Sequence, residues 1–166
     1  MRSLFEIDTK DYDINVTTVS RPSARGIIIK DGKLAMIHSI KYDYYKFPGG
    51  GIEKNEQKES ALIREVLEET GLDVEIDRLI WHTEEVSDRG QRFVNFFMGR
   101  IKGGMLELGE DPEFDEEHQV LREVKFMSRE EIEKVEYLYP EYLRDEFWRF
   151  LNEDYLGYNA FKVREK

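Results

Sequence analysis

The period of the apolar positions changes several times along this chain, and each change marks an element. Residues 24–29, Ala-Arg-Gly-Ile-Ile-Ile, form a short apolar run, and a second follows from Lys33 to His38 after Asp31-Gly32. An Asp-Gly pair between two such runs is a strong two-residue turn signal, so residues 23–39 predict a β-hairpin. From Lys58 to Thr70 the period lengthens. Leu62, Ile63, Val66, Leu67 and Thr70 share one broad face at about 100° per residue. No Gly or Pro interrupts the stretch, and Gly71 stands where a left-handed residue would end a helix.

Strand periodicity returns after the helix. Val74, Ile76, Leu79, Ile80 and Trp81 predict one or two strands over residues 72–86, and Ser87-Asp88-Arg89-Gly90 predicts a turn. Residues 91–101 carry Phe93, Val94, Phe96, Phe97 and Met98, apolar on both faces, which predicts a central, buried strand. Asn95 within it is expected to be a hydrogen-bonded core residue. Residues 120–127 predict the last strand. Ser128 and Glu131 have capping-box spacing for a short helix. Pro140 suits the first turn of another helix, with Leu143, Phe147, Phe150 and Leu151 on its apolar face and Trp148 at the edge. At the other end, Phe5, Ile7, Tyr12, Ile14 and Val16 alternate with polar residues, as in a short strand or a loose extension. The order of elements predicts an α/β chain with a mixed sheet covered by helices. It divides into an extension (1–22), one domain (23–154) and a tail (155–166). The tail exposes Tyr158 and Phe161 unless it packs back or onto a second subunit in a homodimer.

Composition narrows the class. The 166 residues include 10 Phe, 9 Tyr and 2 Trp, enough for one domain with a real core. There are no cysteines, which excludes disulfides, thiolate metal sites and Cys nucleophiles. The formal net charge of −11 disfavours polymeric nucleic acid, whose affinity comes largely from phosphate contacts. The first ten residues are mixed and charged, unlike a signal peptide, and no stretch approaches a membrane span. These features lead us to expect a cytoplasmic protein without a membrane partner.

The polar face of the predicted helix carries the chemistry. Glu65, Glu68 and Glu69 fall together opposite its apolar face, flanked by Arg64, with small Ala61 one turn earlier. A solvated charged face is the ordinary reading of such a pattern. Three carboxylates at i, i+3 and i+4 repel one another, however, and a divalent cation would relieve that repulsion. Mg²⁺ typically binds a few carboxylates together with substrate phosphates.

The spacing is more specific than the helix. Gly50, Glu56, Arg64, Glu65, Val66, Glu68, Glu69, Gly71 and Leu72 fit G-x5-E-x7-R-E-U-x-E-E-x-G-U, with U aliphatic, and Phe47-Pro48-Gly49 precedes them. This resembles the box of the Nudix hydrolases, a MutT-like pattern, at every defined position. The resemblance implies a Nudix-type α/β/α sandwich with a mixed β-sheet. It also implies Mg²⁺- or Mn²⁺-dependent hydrolysis of a small nucleoside diphosphate-linked substrate, such as a nucleoside triphosphate or a nucleotide derivative, by water attack at phosphorus. Glu68 and Glu69 are then the foremost metal ligands, with Glu65 and Glu56 next. Glu65 is alternatively the residue that orients or deprotonates water, and Arg64 orients a glutamate. Gly49 or Gly50 contributes a carbonyl, and Glu116 or Glu117, from the acidic stretch before the last strand, completes the metal site or acts as base. For the substrate, Arg25 is a candidate phosphate contact and Tyr42, Tyr44 and Tyr45 are candidate base-stacking residues, though strand surface and loop packing are the commoner uses of such residues.

Specificity signatures are weak. Some ADP-ribose hydrolases of the family carry a Pro after the box where this chain has Ser87 and Asp88. Some dinucleoside polyphosphate hydrolases carry a Tyr where it has Arg89 and Gly90. The Pro-rich signature of the NADH hydrolases is absent as well. The rival reading is a non-catalytic nucleotide-binding regulatory module on the same fold. Such a module would be expected to have lost box carboxylates, and this chain keeps all four.

Overall fold

Strand β1 (Ser23–Lys30) joins the two halves of the sheet. The computed structural model describes residues 22–40, 43–87, 90–109, 121–141, 144, 147–148 and 160–163. The first part of β1 lies between antiparallel β4 (Gly49–Gly51) and parallel β6 (Gly90–Gly104). Its end turns through Asp31 and Gly32, both at positive φ, into antiparallel β2 (Lys33–Ser39). That is the expected hairpin. On β2 sit β3 (Tyr44–Lys46) and β7 (Leu121–Met127), and β3 pairs in parallel with β8 (Leu138–Tyr139). Beyond β6 lie antiparallel β5 (Leu72–Ser87) and then β9 (Ala160–Val163), parallel to β5.

The nine-stranded sheet is therefore mixed, in the order β8-β3-β2-β1-β6-β5-β9, with β4 on β1 and β7 on β2. Residues 72–86 belong to one strand, whose register shifts between Asp73 and Val74, Ile76 and Arg78, and Leu79 and Trp81. β6 is interior as expected. Asn95 is buried on it, donating from Nδ2 to the Ser23 carbonyl at 3.2 Å, with its Oδ1 3.0 Å from His82 Nδ1. Residues 120–127 do not supply the last strand: β8 and β9 follow, each too short for an alternating pattern to announce it. Pro140 closes β8 in a bend, and the α-helical backbone described beyond it is at Phe147 and Trp148.

Alternation along the strands feeds a core on each face. Ala24, Ile28, Ala35, Val74 and Phe97 face α1 (Lys58–Thr70) and meet its Leu62 and Val66. Ile27, Leu34, Met36, Phe47, Val94, Phe96 and Trp81 face the other way, against Ile132 of α2 (Arg129–Lys134), Phe147 and Trp148. Each large aliphatic side chain buried in these layers contributes about 1.5–3 kcal/mol. The result is the expected α/β/α sandwich. α2 starts with the anticipated box: Glu131 N–H donates to Ser128 Oγ at 3.2 Å, and Ser128 N–H donates to Glu131 Oε2 at 2.7 Å.

Helix α1 has the expected bounds and stop, with Gly71 at φ 72° donating its N–H to the Leu67 carbonyl at 2.9 Å. Its orientation differs from the expectation. Leu67 is 52% exposed, whereas Glu69 is 4% exposed. The buried arc is rotated towards Ala61 and Glu69, because Lys46 of β3 and the Gly49 N–H of β4 supply polar partners there. The end of α1 is also covered by the segment that follows β6, whose Leu106 packs in the same core layer. Gly109 N–H donates to the Glu69 carbonyl at 3.0 Å and Glu107 N–H to the Thr70 carbonyl at 2.9 Å, so the open carbonyls of the last turn are used. Among the described residues, no helix is long and apolar enough to cross a membrane. The N-terminal stretch 1–21, Asp88, Arg89, Leu143, Phe150, Leu151 and Tyr158 lie outside the described residues.

Candidate active site

The loop from Phe47 to Gly51 lies against α1, and the glutamates of the helix meet its backbone. Arg64 is the hub. Its Nε and Nη2 donate to the two Glu56 oxygens at 2.9 Å each, a bidentate pair. Its Nη1 donates to Glu65 Oε1 at 2.8 Å and Glu68 Oε2 at 3.3 Å, and Nη2 reaches the Gly51 carbonyl at 3.4 Å. One guanidinium thus draws together three of the four motif glutamates. Those bonds, with Glu56 foremost, hold the Arg64 proton more tightly than usual.

The fourth glutamate is buried. Glu69 Oε2 accepts the Gly49 N–H at 2.7 Å, and Oε1 lies 3.4 Å from Lys46 Nζ. Lys46 is absent from the motif. The signal that could have found it is strand parity: on β3, Tyr45 packs against the α2-side core, so its neighbour Lys46 turns to the α1 side. Glu65 sits directly over Gly50, where a Cβ would come within 2.5 Å of the carboxylate carbon. Burial holds the Glu65 carboxyl above the usual carboxylate range. The charges of Glu69 and Glu68 push the same way, and Arg64 opposes them.

The other candidates divide. Arg25 Nη1 donates to the carbonyls of Phe47, at 3.3 Å, and Gly49. It braces the loop from β1 in this structure, because it emerges beside β4, and the Gly49 carbonyl, one of the two that could face a metal, accepts this bond. Tyr45 is set apart from the carboxylates. It stacks on His38 with ring centres 4.7 Å apart and donates its hydroxyl to Glu123 Oε2 at 2.6 Å. Strand alternation turns the Tyr45 ring to the face opposite Lys46, where it packs beside the α2-side core. Tyr44 packs against Tyr139 at 5.7 Å. Tyr42, Glu116 and Glu117 lie outside the described residues.

The donor chemistry suits a hard divalent cation. Carboxylate oxygens are concentrated at one end of the helix; burial raises Glu65, and the charges of Glu69 and Glu68, which such a cation would offset, add to the shift. Among the described residues, no three acidic or histidine side chains are arranged as a ready metal site. Arg64 and Lys46 engage the carboxylates instead, so a cation would enter by exchange with the protein's own positive charges.

The model of the NUDIX domain family matches residues 20–146. The chain is 27% identical to the ADP-ribose pyrophosphatase of Methanocaldococcus jannaschii over 72% of its own length and 69% of the relative's. It is 36% identical to the RNA pyrophosphohydrolase of Hydrogenovibrio crunogenus over 48% of its length, spanning 44% of that protein. Among solved structures, a Nudix hydrolase from Nitrosomonas europaea superposes with a TM-score of 0.66 at 18% identity, covering 89% of this chain and 79% of that one. The MutT protein of Methanosarcina mazei Go1 gives 0.65 at 21% identity, covering 85% and 99%. At those identities the solved structures establish the fold alone. With the family model spanning most of the sequence, the chain belongs to the NUDIX domain family.

Proposed function

We propose that the chain is a divalent-metal-dependent Nudix pyrophosphohydrolase, which cleaves a pyrophosphate bond in a small nucleotide by water attack. The substrate class is a nucleoside triphosphate or another nucleoside diphosphate-linked compound. The observation that carries this reading is the gathering of Glu56, Glu65 and Glu68 around Arg64, with Glu69 against the adjoining glycine loop. Nudix hydrolases generally need a divalent metal. Mg²⁺ or Mn²⁺, held by Glu68 and Glu69 with Glu65 and Glu56, would polarise phosphoryl oxygens and lower the pKa of bound water.

The chain's own groups have separable tasks in this reading. Arg64 fixes the directions of Glu56, Glu65 and Glu68. The raised affinity of Glu65 for a proton suits a carboxylate that takes one from the attacking water. The Gly49 N–H orients Glu69. The −11 net charge supports a small substrate over a polymer, and we place the activity in the cytoplasm.

The test is release of phosphate, pyrophosphate or nucleoside monophosphate from a panel, with Mg²⁺, with Mn²⁺ and with chelator. The relatives' names put ADP-ribose and 5′-triphosphorylated RNA on that panel beside nucleoside triphosphates and nucleotide sugars. Metal-dependent turnover of a small nucleotide supports the reading. Equal rates in chelator, or no turnover of any compound, defeat it.

A further inference from the structure

We infer that Lys46 is a built-in counter-cation of the metal site, competing with the divalent ion for Glu69. The inference rests on the reading of Glu69 as a metal carboxylate, and it concerns a residue outside the motif. Its basis is the pairing of a buried carboxylate with a half-buried ammonium. The Lys46 and Glu69 side chains are 13% and 5% exposed, with Nζ 3.4 Å from Oε1. A carboxylate removed from water needs compensating charge or hydrogen bonds. The Gly49 N–H satisfies Oε2, and Lys46 supplies the positive charge beside Oε1.

The remaining glutamates already share a cation. Arg64 contacts Glu56, Glu65 and Glu68 but makes no hydrogen bond to Glu69. Arg64 and Lys46 therefore meet different carboxylates, and Lys46 meets the motif glutamate with least access to water. A divalent ion bound by Glu69 must take the place of Nζ at Oε1 or sit beside a like charge. Either outcome weakens binding of the free ion. In the metal-free protein the same pair keeps Glu69 from standing as an uncompensated buried charge. Lys46 thereby sets both the stability of the empty site and the threshold at which a metal enters.

The experiment is a Mn²⁺ titration of the full chain, followed by electron paramagnetic resonance, with unfolding temperatures measured in chelator and in Mn²⁺. The variants are Lys46→Met, Lys46→Gln, Lys46→Arg and Glu69→Gln. A single charge within ~4–6 Å typically changes a carboxylate's proton affinity by about tenfold or more, so Lys46→Met and Lys46→Gln should bind Mn²⁺ about tenfold more tightly. Lys46→Arg, which keeps the charge, should stay near wild type. Both neutral variants should unfold at lower temperature in chelator and gain more from Mn²⁺ than wild type does. Lys46→Gln, which can still donate a hydrogen bond, covers the case in which Lys46→Met does not fold. Unchanged or weaker Mn²⁺ binding in both neutral variants, with Glu69→Gln abolishing binding, would overturn the inference and leave the metal assignment standing. Wild-type Mn²⁺ affinity in Glu69→Gln would overturn both.

Discussion

The Glu65 carboxylate rests on the backbone of Gly50, close enough that a Cβ there would come within 2.5 Å of Glu65 Cδ and Oε2. The relation links the first residue of the motif to the first glutamate of its helical half. A methyl group on Gly50 would push Glu65 away from the Arg64 Nη1 bond that orients it. Gly50→Ala should therefore cut turnover by on the order of a hundredfold, the scale expected for misplacing a reacting group by about 1 Å. Steady-state kinetics on the best substrate would check this. A Gly50→Ala enzyme of normal activity would detach Glu65 from the chemistry.

Glu68 and Glu69 should separate in their effect on stability. Both face away from the apolar stripe on a helical wheel, which alone predicts little cost to the fold. Glu69 is buried, however, and Gln there loses the charge that faces Lys46. Glu69→Gln should lower metal-free stability by about 1.5–3 kcal/mol, the range for hydrogen bonds to charged groups. Glu68→Gln should leave it nearly unchanged, since Glu68 only shares Arg64 Nη1 at 3.3 Å. Both should remove most turnover. Denaturant unfolding in chelator would compare them, and equal stability losses would contradict the burial argument.

That contrast shows where the sequence was legible. The bounds of α1, the Asp31-Gly32 hairpin, the capping box at Ser128 and the buried strand around Phe96 are local patterns, and each is present. The motif identified the four glutamates because its spacing is itself local. Periodicity located an apolar arc on α1 but could not set its rotation. Rotation was decided by partners distant in sequence: the Gly49 N–H and Lys46 draw Glu69 inward, and Leu67 turns out to solvent. Lys46 was missed for the same reason, since a three-residue strand shows its parity only once its neighbours are known. Strands β8 and β9 pair in parallel with segments far away in the chain, so no hairpin signal precedes them.

Gly109 should prove structural. A Cβ there would overlap the Glu68 carbonyl oxygen, while its N–H caps the Glu69 carbonyl at 3.0 Å. Gly109→Ala must move either the chain leaving β6 or the end of α1. Overpacking of this kind costs about 1–3 kcal/mol. Because the displaced carbonyls belong to Glu68 and Glu69, weaker Mn²⁺ binding should accompany the loss. A thermal scan and a Mn²⁺ titration would test the pair of effects, and an unchanged melting temperature would count against the close packing.

The pH dependence of the metal-free protein should carry the mark of Glu65. Burial, aided by the charges of Glu69 and Glu68, raises its pKa above the ordinary 4.5. The fold therefore binds this proton more tightly than the unfolded chain does. The stability contributed by Glu65 is fully present below its ordinary pKa and is lost as pH rises through its raised value. Relative to Glu65→Gln, which does not titrate there, wild type should lose stability over that window. Unfolding in chelator at a series of pH values would measure the difference, and parallel curves for the two proteins would rule out a raised Glu65.

The last expectation concerns substrate size. A chain with 36 acidic and 25 basic residues offers little long-range attraction to a polymer of phosphates. Two of the positive groups nearest the motif are already engaged: Arg64 by three glutamates and Lys46 by Glu69. Arg25 donates to loop carbonyls. A small nucleotide can be held by a metal-loaded carboxylate cluster, whereas an RNA chain needs a track of free cations. We therefore expect a free nucleoside triphosphate or a nucleotide derivative to be cleaved with higher kcat/KM than a 5′-triphosphorylated oligonucleotide. We also expect a shallow dependence on salt. Competition between the two substrates at increasing KCl would decide the matter. Preference for the oligonucleotide, with affinity falling steeply as salt rises, would reverse the assignment and point to a cationic track elsewhere on the chain.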